Sequence, residues 1–292
     1  MPRNALATLV IFICQTFSVA QGERNPAMLP MDVVASWKKE GAKVGWMGIG
    51  EFEALNFDGR EMGKDGEVPA FKFAVWKADV LKGLAAPGTD FGLDLGDTKL
   101  TDAGMKEVCR FTSLHSLDIG FTPVTDAGIQ ELAALKSLKA LNLRFVKVTD
   151  VGLKDVAKIK SLELLILRGT KTSDVGMKEI ASLNALQSLD LTYVTVSDAG
   201  MMHLCNLTSL HTLFLFKTDI SDAGLKHLSK FKSLRFLALD DTKITNAGLN
   251  ELAGLKSLRS LSLTGTRVTP GGIAELQKSL PNTKIVRYEV ED

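Results

Sequence analysis

The sequence predicts an α/β fold: a right-handed solenoid with a parallel concave β-sheet, short convex helices and a small N-terminal cap. Three observations predict it. A block recurs every 24 residues from Thr101, beginning again at Thr125, Thr149, Ser173, Ser197, Ser221, Thr245 and Thr269. Each block carries two hydrophobic periods, one suited to a strand and one to a helix. One strand and one helix cannot bury their own apolar face, so the units must stack.

Residues 221–244, SDAGLKHLSKFKSLRFLALDDTKI, illustrate the unit. Its second half alternates like a short strand, with Leu234, Leu237 and Leu239 pointing one way. Its first half sets Leu225, Leu228 and Phe231 three apart, on one face of a short helix. The opening Ser or Thr is expected to cap that helix, and the following Asp to sit beside the positive end of its dipole. Glycine holds the fourth place in all eight copies, at Gly104, Gly128, Gly152, Gly176, Gly200, Gly224, Gly248 and Gly272. Two reasons stay open for it: close packing of the turn against its neighbour, or a positive φ. A degenerate copy at 77–100 keeps Leu81, Leu84, Leu93, Leu95, Thr98 and Leu100. Residues 77–292 therefore divide into one degenerate repeat, seven full repeats and a C-terminal capping repeat. Nine parallel strands spaced by ~4.8 Å, with right-handed crossovers, make a sheet roughly 40 Å long.

The ends differ from the array. Arg3 precedes an apolar run over 5–17 that closes in Ser18, Val19 and Ala20 before Gln21. That is the layout of a signal peptide over 1–20, too short for a comfortable membrane span, and it implies a secreted, periplasmic or cell-envelope destination. Residues 21–76 hold all three tryptophans, Trp37, Trp46 and Trp76, and are expected to cap the open end of the solenoid. Within them 31–41 reads as a helix, 44–47 and 52–57 as strands, and 59–67 as a polar loop. Residues 283–292 are expected to cover the last strand, their charges discouraging edge pairing.

The frame LxxLxLxxTxVTDxGLxxLxxL resembles the T-D-x-G-L type of leucine-rich repeat found in secreted bacterial proteins. The ending, with Gly272, Ile273 and Leu276 followed by LPNTKI at 280–285, is similar to their closing turn. The resemblance covers roughly residues 77–285 and implies a leucine-rich-repeat solenoid that binds another molecule, without naming the ligand. Val146 and Val194 depart from the pattern by replacing the threonine of the turn, which removes a hydroxyl able to satisfy the backbone.

Little in the chain points to catalysis. Lys and Arg number 35 against 34 Asp and Glu, a net charge of +1, which argues against a nucleic-acid binder while leaving room for a local patch. Cys14 leaves with the leader, and Cys109 and Cys205 share one repeat position four units apart, at least ~20 Å, beyond disulfide reach. That position otherwise holds Ala133, Ala157, Ala181, Ser229 and Ala253, so both cysteines read as small core-facing side chains. His115 and His211 are likewise four units apart. His203 and His227 lie in a column with Glu179 and Glu251 on neighbouring helices ~8–10 Å apart, too far to share a metal ion, and read as a solvated stripe. Residues 21–76 contain neither His nor Cys, and their carboxylates, such as Glu51 and Glu53, are not forced into a cleft. The glycines follow block spacing and form no phosphate loop. The sequon Asn206-Leu207-Thr208 matters only in a glycosylating host. No enzyme, cofactor or metal is expected.

The informative surface is the concave one. Position sixteen of the block reads Gly92, Ser116, Ala140, Leu164, Ser188, Thr212, Phe236 and Ser260. Position eighteen reads Asp94, Asp118, Asn142, Ile166, Asp190, Phe214, Ala238 and Ser262. Position twenty reads Gly96, Gly120, Arg144, Arg168, Thr192, Phe216, Asp240 and Thr264, and the rim beside it adds Phe121, Phe145 and Tyr193. Outward positions on a solvated sheet should be polar, yet Leu164, Ile166, Phe214, Phe216 and Phe236 gather in the central copies. An apolar patch of a few hundred Å² there would mark an interface, with Arg144, Arg168, Asp190, Tyr193 and Asp240 as its rim. The expected function is non-enzymatic binding of a protein or peptide on this concave patch. Alternatives are a structural cell-envelope protein and, less favoured, an enzyme with its site in residues 21–76.

Overall fold

The computed structural model describes residues 29–49, 55–60 and 62–288. The leader expected over 1–20, the Glu51 and Glu53 pair, and the tail from 289 lie outside the described residues. A helix α1 (Met31–Lys39) opens the described chain, with Val33 and Trp37 on its buried face. Asp32 in its first turn and Lys38 and Lys39 in its last complement the helix dipole. Strands β1 (Lys43–Ile49) and β2 (Leu55–Asp58) follow near the expected places. A third strand, β3 (Val68–Lys72), was not expected and joins this segment to the repeats.

Nine repeat strands come next: β4 (Phe91–Asp94), β5 (Leu114–Asp118), β6 (Ala140–Asn142), β7 (Leu164–Ile166), β8 (Ser188–Asp190), β9 (Thr212–Phe214), β10 (Phe236–Ala238), β11 (Ser260–Ser262) and β12 (Lys284–Val286). One short helix precedes each strand from β5 onward, the first six being α2 (Asp102–Val108), α3 (Asp126–Ile129, continued as a 3-10 turn over Gln130–Ala134), α4 (Asp150–Val156), α5 (Asp174–Ile180), α6 (Asp198–Leu204) and α7 (Asp222–Leu228). The last two are α8 (Asn246–Leu252) and α9 (Pro270–Ser279). All strands form one sheet in the order β12 down to β4, then β3, β1 and β2. From β3 to β12 the pairing is parallel, and from β5 onward it is in register, so residues 24 apart stand side by side, as Leu213 and Leu237 do. The fold is a leucine-rich-repeat solenoid. The strand at 284–286 pairs with β11 and itself closes the sheet, where the sequence suggested a covering segment.

A carboxylate staple joins the coils. The Asp sits in the first turn of its own helix, as expected of a dipole partner, and also reaches into the following repeat. Asp126 accepts from Thr149 N at 2.9 Å, from Thr149 Oγ1 at 2.6 Å and from Gly152 N at 3.2 Å. The pattern repeats at Asp102 and Asp150. Asp174, Asp198 and Asp222 hold the next Ser or Thr in the same way. That Ser or Thr also caps its own helix, as expected, from Thr125 to Thr269. The staple decides between the two reasons for the invariant glycine. A Cβ at Gly152 would enter Asp126 Oδ1, and φ there is not positive, so close approach is the constraint.

The turn after each strand has its own ladder. Thr170, Thr218, Thr242 and Thr266 donate their hydroxyls to the carbonyl three residues back. At Val146 and Val194 the hydroxyl is absent, but each backbone N–H donates to that carbonyl at 3.0 Å and the valine is buried. The turn survives. Its corner is left-handed after each strand from β4 to β11, at Asp97, Phe121, Phe145, Gly169, Tyr193, Lys217, Asp241 and Gly265.

The array is sealed at its start by aromatic packing. Trp37 stacks on Phe71 with centroids 4.1 Å apart, touches Phe91 and Phe111, and donates from Nε1 to Ala85 O at 3.0 Å. On the opposite face of the sheet β1 and β2 curl inward until β2 meets β6. Met47, Leu55 and Ala70 there form a second core with Ala140, Leu164 and Ile166, bordered by Phe57 and Val68. Gly92 makes room for it, since a Cβ would collide with Met47.

Candidate concave binding surface

The hairpin of β1 and β2 changes the expected patch. Leu164 and Ile166 were expected to face a partner; they are 0% and 6% exposed, sealed beneath Met47 and Leu55. The exposure inferred from their column is corrected: the non-repeat segment supplies their apolar neighbours. Uncovered aromatic surface begins further along. Phe214 in β9 and Phe236 in β10 are half-buried on the same concave face, with Phe214 beside Ala238. Phe216, two residues past Phe214 and so on the same side, is half-buried as well.

At the edge where the strands end, rings and cations interleave. Phe121 and Phe145 are exposed and stacked, with centroids 4.9 Å apart. The Arg144 guanidinium lies over both, 4.8 Å from the Phe121 centroid and 5.6 Å from that of Phe145. Phe145 also lies across Gly169, where a Cβ would strike the ring. Tyr193 meets Phe216 edge-on at 5.1 Å, and Arg168 and Lys217 each sit 5.6 Å from the Tyr193 centroid. Such cation–ring contacts hold long side chains in place at ~0.5–1 kcal/mol each on an exposed surface. Arg144 and Arg168 are half-buried, and the Nε of each is buried without a hydrogen-bond partner among the described residues.

The rim carboxylates are less available than their positions suggest. Asp240, expected as a charged edge, is 7% exposed and accepts from Ser262 Oγ and from Thr264 N at 2.8 Å. Burial raises its pKa. Asp190 is half-buried and accepts from Thr192 N at 2.8 Å; burial again raises it, against the pull of Arg168 and Arg144. Nearer the hairpin Asp94 pairs with Lys72 at 2.7 Å. Burial and the adjacent Asp94 push Asp118 up to about 7 although Gly120 N and Asn142 Nδ2 donate to it. Burial and the neighbouring Arg168 lower Arg144.

The remaining candidates fall elsewhere. Cys109 is buried and free, its thiol pushed up to about 12 by burial, while Cys205 is free and half-buried. His203 and His227 are half-buried on the convex helices α6 and α7. Sequence reasoning missed Met47 and Leu55 as occupants of the concave face. A signal for them exists in the run Gly92, Ser116, Ala140, whose small side chains leave space beside Leu164.

Comparison with known proteins agrees on the architecture. The leucine-rich-repeat family profile matches residues 112–133, which run from one strand into the next helix. Internalin C2 from Listeria monocytogenes superposes with a TM-score of 0.57 at 24% identity, covering 72% of this chain and 83% of that one. A leucine-rich-repeat protein of Leptospira interrogans gives a TM-score of 0.55 at 22% identity, covering 74% of this chain and 58% of the other. No curated protein matches the sequence. No helix among the described residues is long and apolar enough to cross a membrane.

Proposed function

We propose that the chain is a secreted or cell-envelope, non-catalytic binding module that holds a protein or peptide against the uncovered half of its concave wall. The observation that carries this reading is the trio Phe214, Phe216 and Phe236, half-exposed on a face whose other positions are small, polar or sealed. Aromatic side chains at an apolar centre beside an arginine rim are the composition expected of an interface core. Tyr193, Arg168 and Lys217 extend the surface along the strand ends. Leu164 and Ile166, buried with Met47 and Leu55, form no part of the contact surface. The leader-like residues 1–20 support export.

The test is capture from an extract of the native compartment with the wild type and with Phe214→Asp plus Phe216→Asp. Both side chains are half-exposed, so the variant is expected to fold, and its urea midpoint is measured alongside. Loss of a specific partner with the fold intact is the expected result. Equal recovery of the same partners by both baits refutes this surface as the binding site.

A further inference from the structure

The edge where the strands begin carries a charge pattern that concave recognition does not use. At the start of the strands each backbone N–H donates to its counterpart one repeat earlier, giving a row His115, Lys139, Glu163, Gln187, His211, Arg235, Arg259 with bonds of 2.7–2.8 Å, and Thr283 holds the next place. Early in that row the charges alternate, and Lys139 pairs with Glu163 at 3.0 Å. Late in the row they do not: Arg235 and Arg259 stand on adjacent coils ~4.8 Å apart. Like charges directly side by side on adjacent strands repel. A second row three residues earlier adds Lys232 and Lys256, with Lys230 beside them. Residues 229–239, 252–263 and 276–288 contain no Asp or Glu. Lys230, Lys232, Arg235, Lys256 and Arg259 are all exposed, and Lys256 Nζ donates to Ser279 O at 2.8 Å. Among the described residues, Arg235 and Arg259 have no carboxylate within ion-pair distance.

Uncompensated repulsion in a chain whose total charge is +1 calls for an outside source of negative charge. We propose that this edge is a peripheral docking surface for an anionic lipid bilayer. Two rows on successive coils make a plane rather than a channel, so a partner presenting anions in two dimensions meets all five cations, whereas a single anionic chain would meet one row. Phe231, Leu234, Leu255 and Leu258 in the same loops are buried, which leaves no ring for base stacking and no apolar wedge for insertion. Contact is therefore electrostatic and reversible, at roughly a fivefold gain in binding per cation near the surface. With the strand starts against the membrane, the concave wall stands upright and stays open.

The experiment is co-sedimentation of the full chain with vesicles of phosphatidylcholine alone and of phosphatidylcholine mixed with phosphatidylglycerol, over a salt series. Wild type is expected to bind only the mixed vesicles and to be released as salt rises. Arg235→Gln plus Arg259→Gln should weaken that binding about 30-fold. Lys147→Gln plus Lys171→Gln, an equal charge change at two exposed lysines on the far side of the turn, should leave it unchanged. The proposal is overturned if wild type ignores the anionic vesicles, if both double variants weaken equally, or if only a sulfated polysaccharide column retains the protein and the arginine variant loses it. Far-UV circular dichroism confirms that every variant compared is folded.

Discussion

Replacing Asp126 with alanine removes three hydrogen bonds at once, to Thr149 N, Thr149 Oγ1 and Gly152 N. Bonds to a charged acceptor contribute ~1.5–3 kcal/mol each, so three at the lower bound sum to about 4–5 kcal/mol. Asp126 is half-buried, and some freed groups rehydrate, which leaves an expected loss of about 3 kcal/mol. Asparagine should cost only about 1–2 kcal/mol, because the chain already uses that substitute. At Asn246, Oδ1 accepts from Thr269 N and Nδ2 donates to Thr269 Oγ1, both at 2.9 Å. The glycine facing the staple closes a double-mutant cycle. Gly152→Ala should be strongly destabilising beside Asp126, whose Oδ1 fills the space a Cβ needs. In the Asp126→Ala background the same change should become neutral or stabilising, since alanine favours a helix by about 1 kcal/mol over glycine. Urea unfolding followed by circular dichroism gives the four free energies, and amide exchange at Thr149 and Gly152 reports the local interface. Equal costs for alanine and asparagine, or a Gly152→Ala cost that ignores the background, would refute the staple.

Three further outcomes follow from the geometry. Leu164→Ala should lose about 2–4 kcal/mol in urea unfolding, as for a core leucine, whereas an exposed position would lose under about 0.5 kcal/mol. Asp118, with a folded pKa of about 7 above its ordinary 3.8, binds a proton in the native state that the unfolded chain releases, so stability falls as pH rises between those values. The urea midpoint should drop across that window, and Asp118→Asn should flatten the drop; a variant with the wild-type slope removes Asp118 as its source. Gly169→Ala, at φ +66° beneath the Phe145 ring, should cost about 1–2 kcal/mol by calorimetry, and an unchanged transition would contradict the close packing.

The repeat phase was legible because identical side chains recur at a fixed interval and must occupy equivalent places. Leu213 beside Leu237, or Phe214 beside Ala238, follows from counting. Exposure was not legible in the same way. Leu164 and Ile166 lie in columns that face outward from the sheet, and only the packing of the β1–β2 pair against β6, far along the chain, places Met47 and Leu55 over them. The staple was half legible. Asp opens each helix from α2 to α7, where its nearest electrostatic partner looks local, yet the sequence hints otherwise at the two ends of the described array. Pro270 replaces the acid in the last helix among the described residues, and Ala78 replaces it in the degenerate first copy. The rim carboxylate Asp240 was read as free charge because its consumption by Ser262 and Thr264 depends on which side of the strand turn they share.

The hairpin meets the array at one fixed address, the early coils around Ala140 and Leu164. Each coil, by contrast, carries both halves of the same joint, so an extra copy spliced in after β8 finds matching neighbours on either side. Such an insertion would lengthen the bare portion of the wall by ~4.8 Å and leave the roofed portion as it is. Reach toward larger ligands and protection of the first coils can thus change independently, by duplication alone.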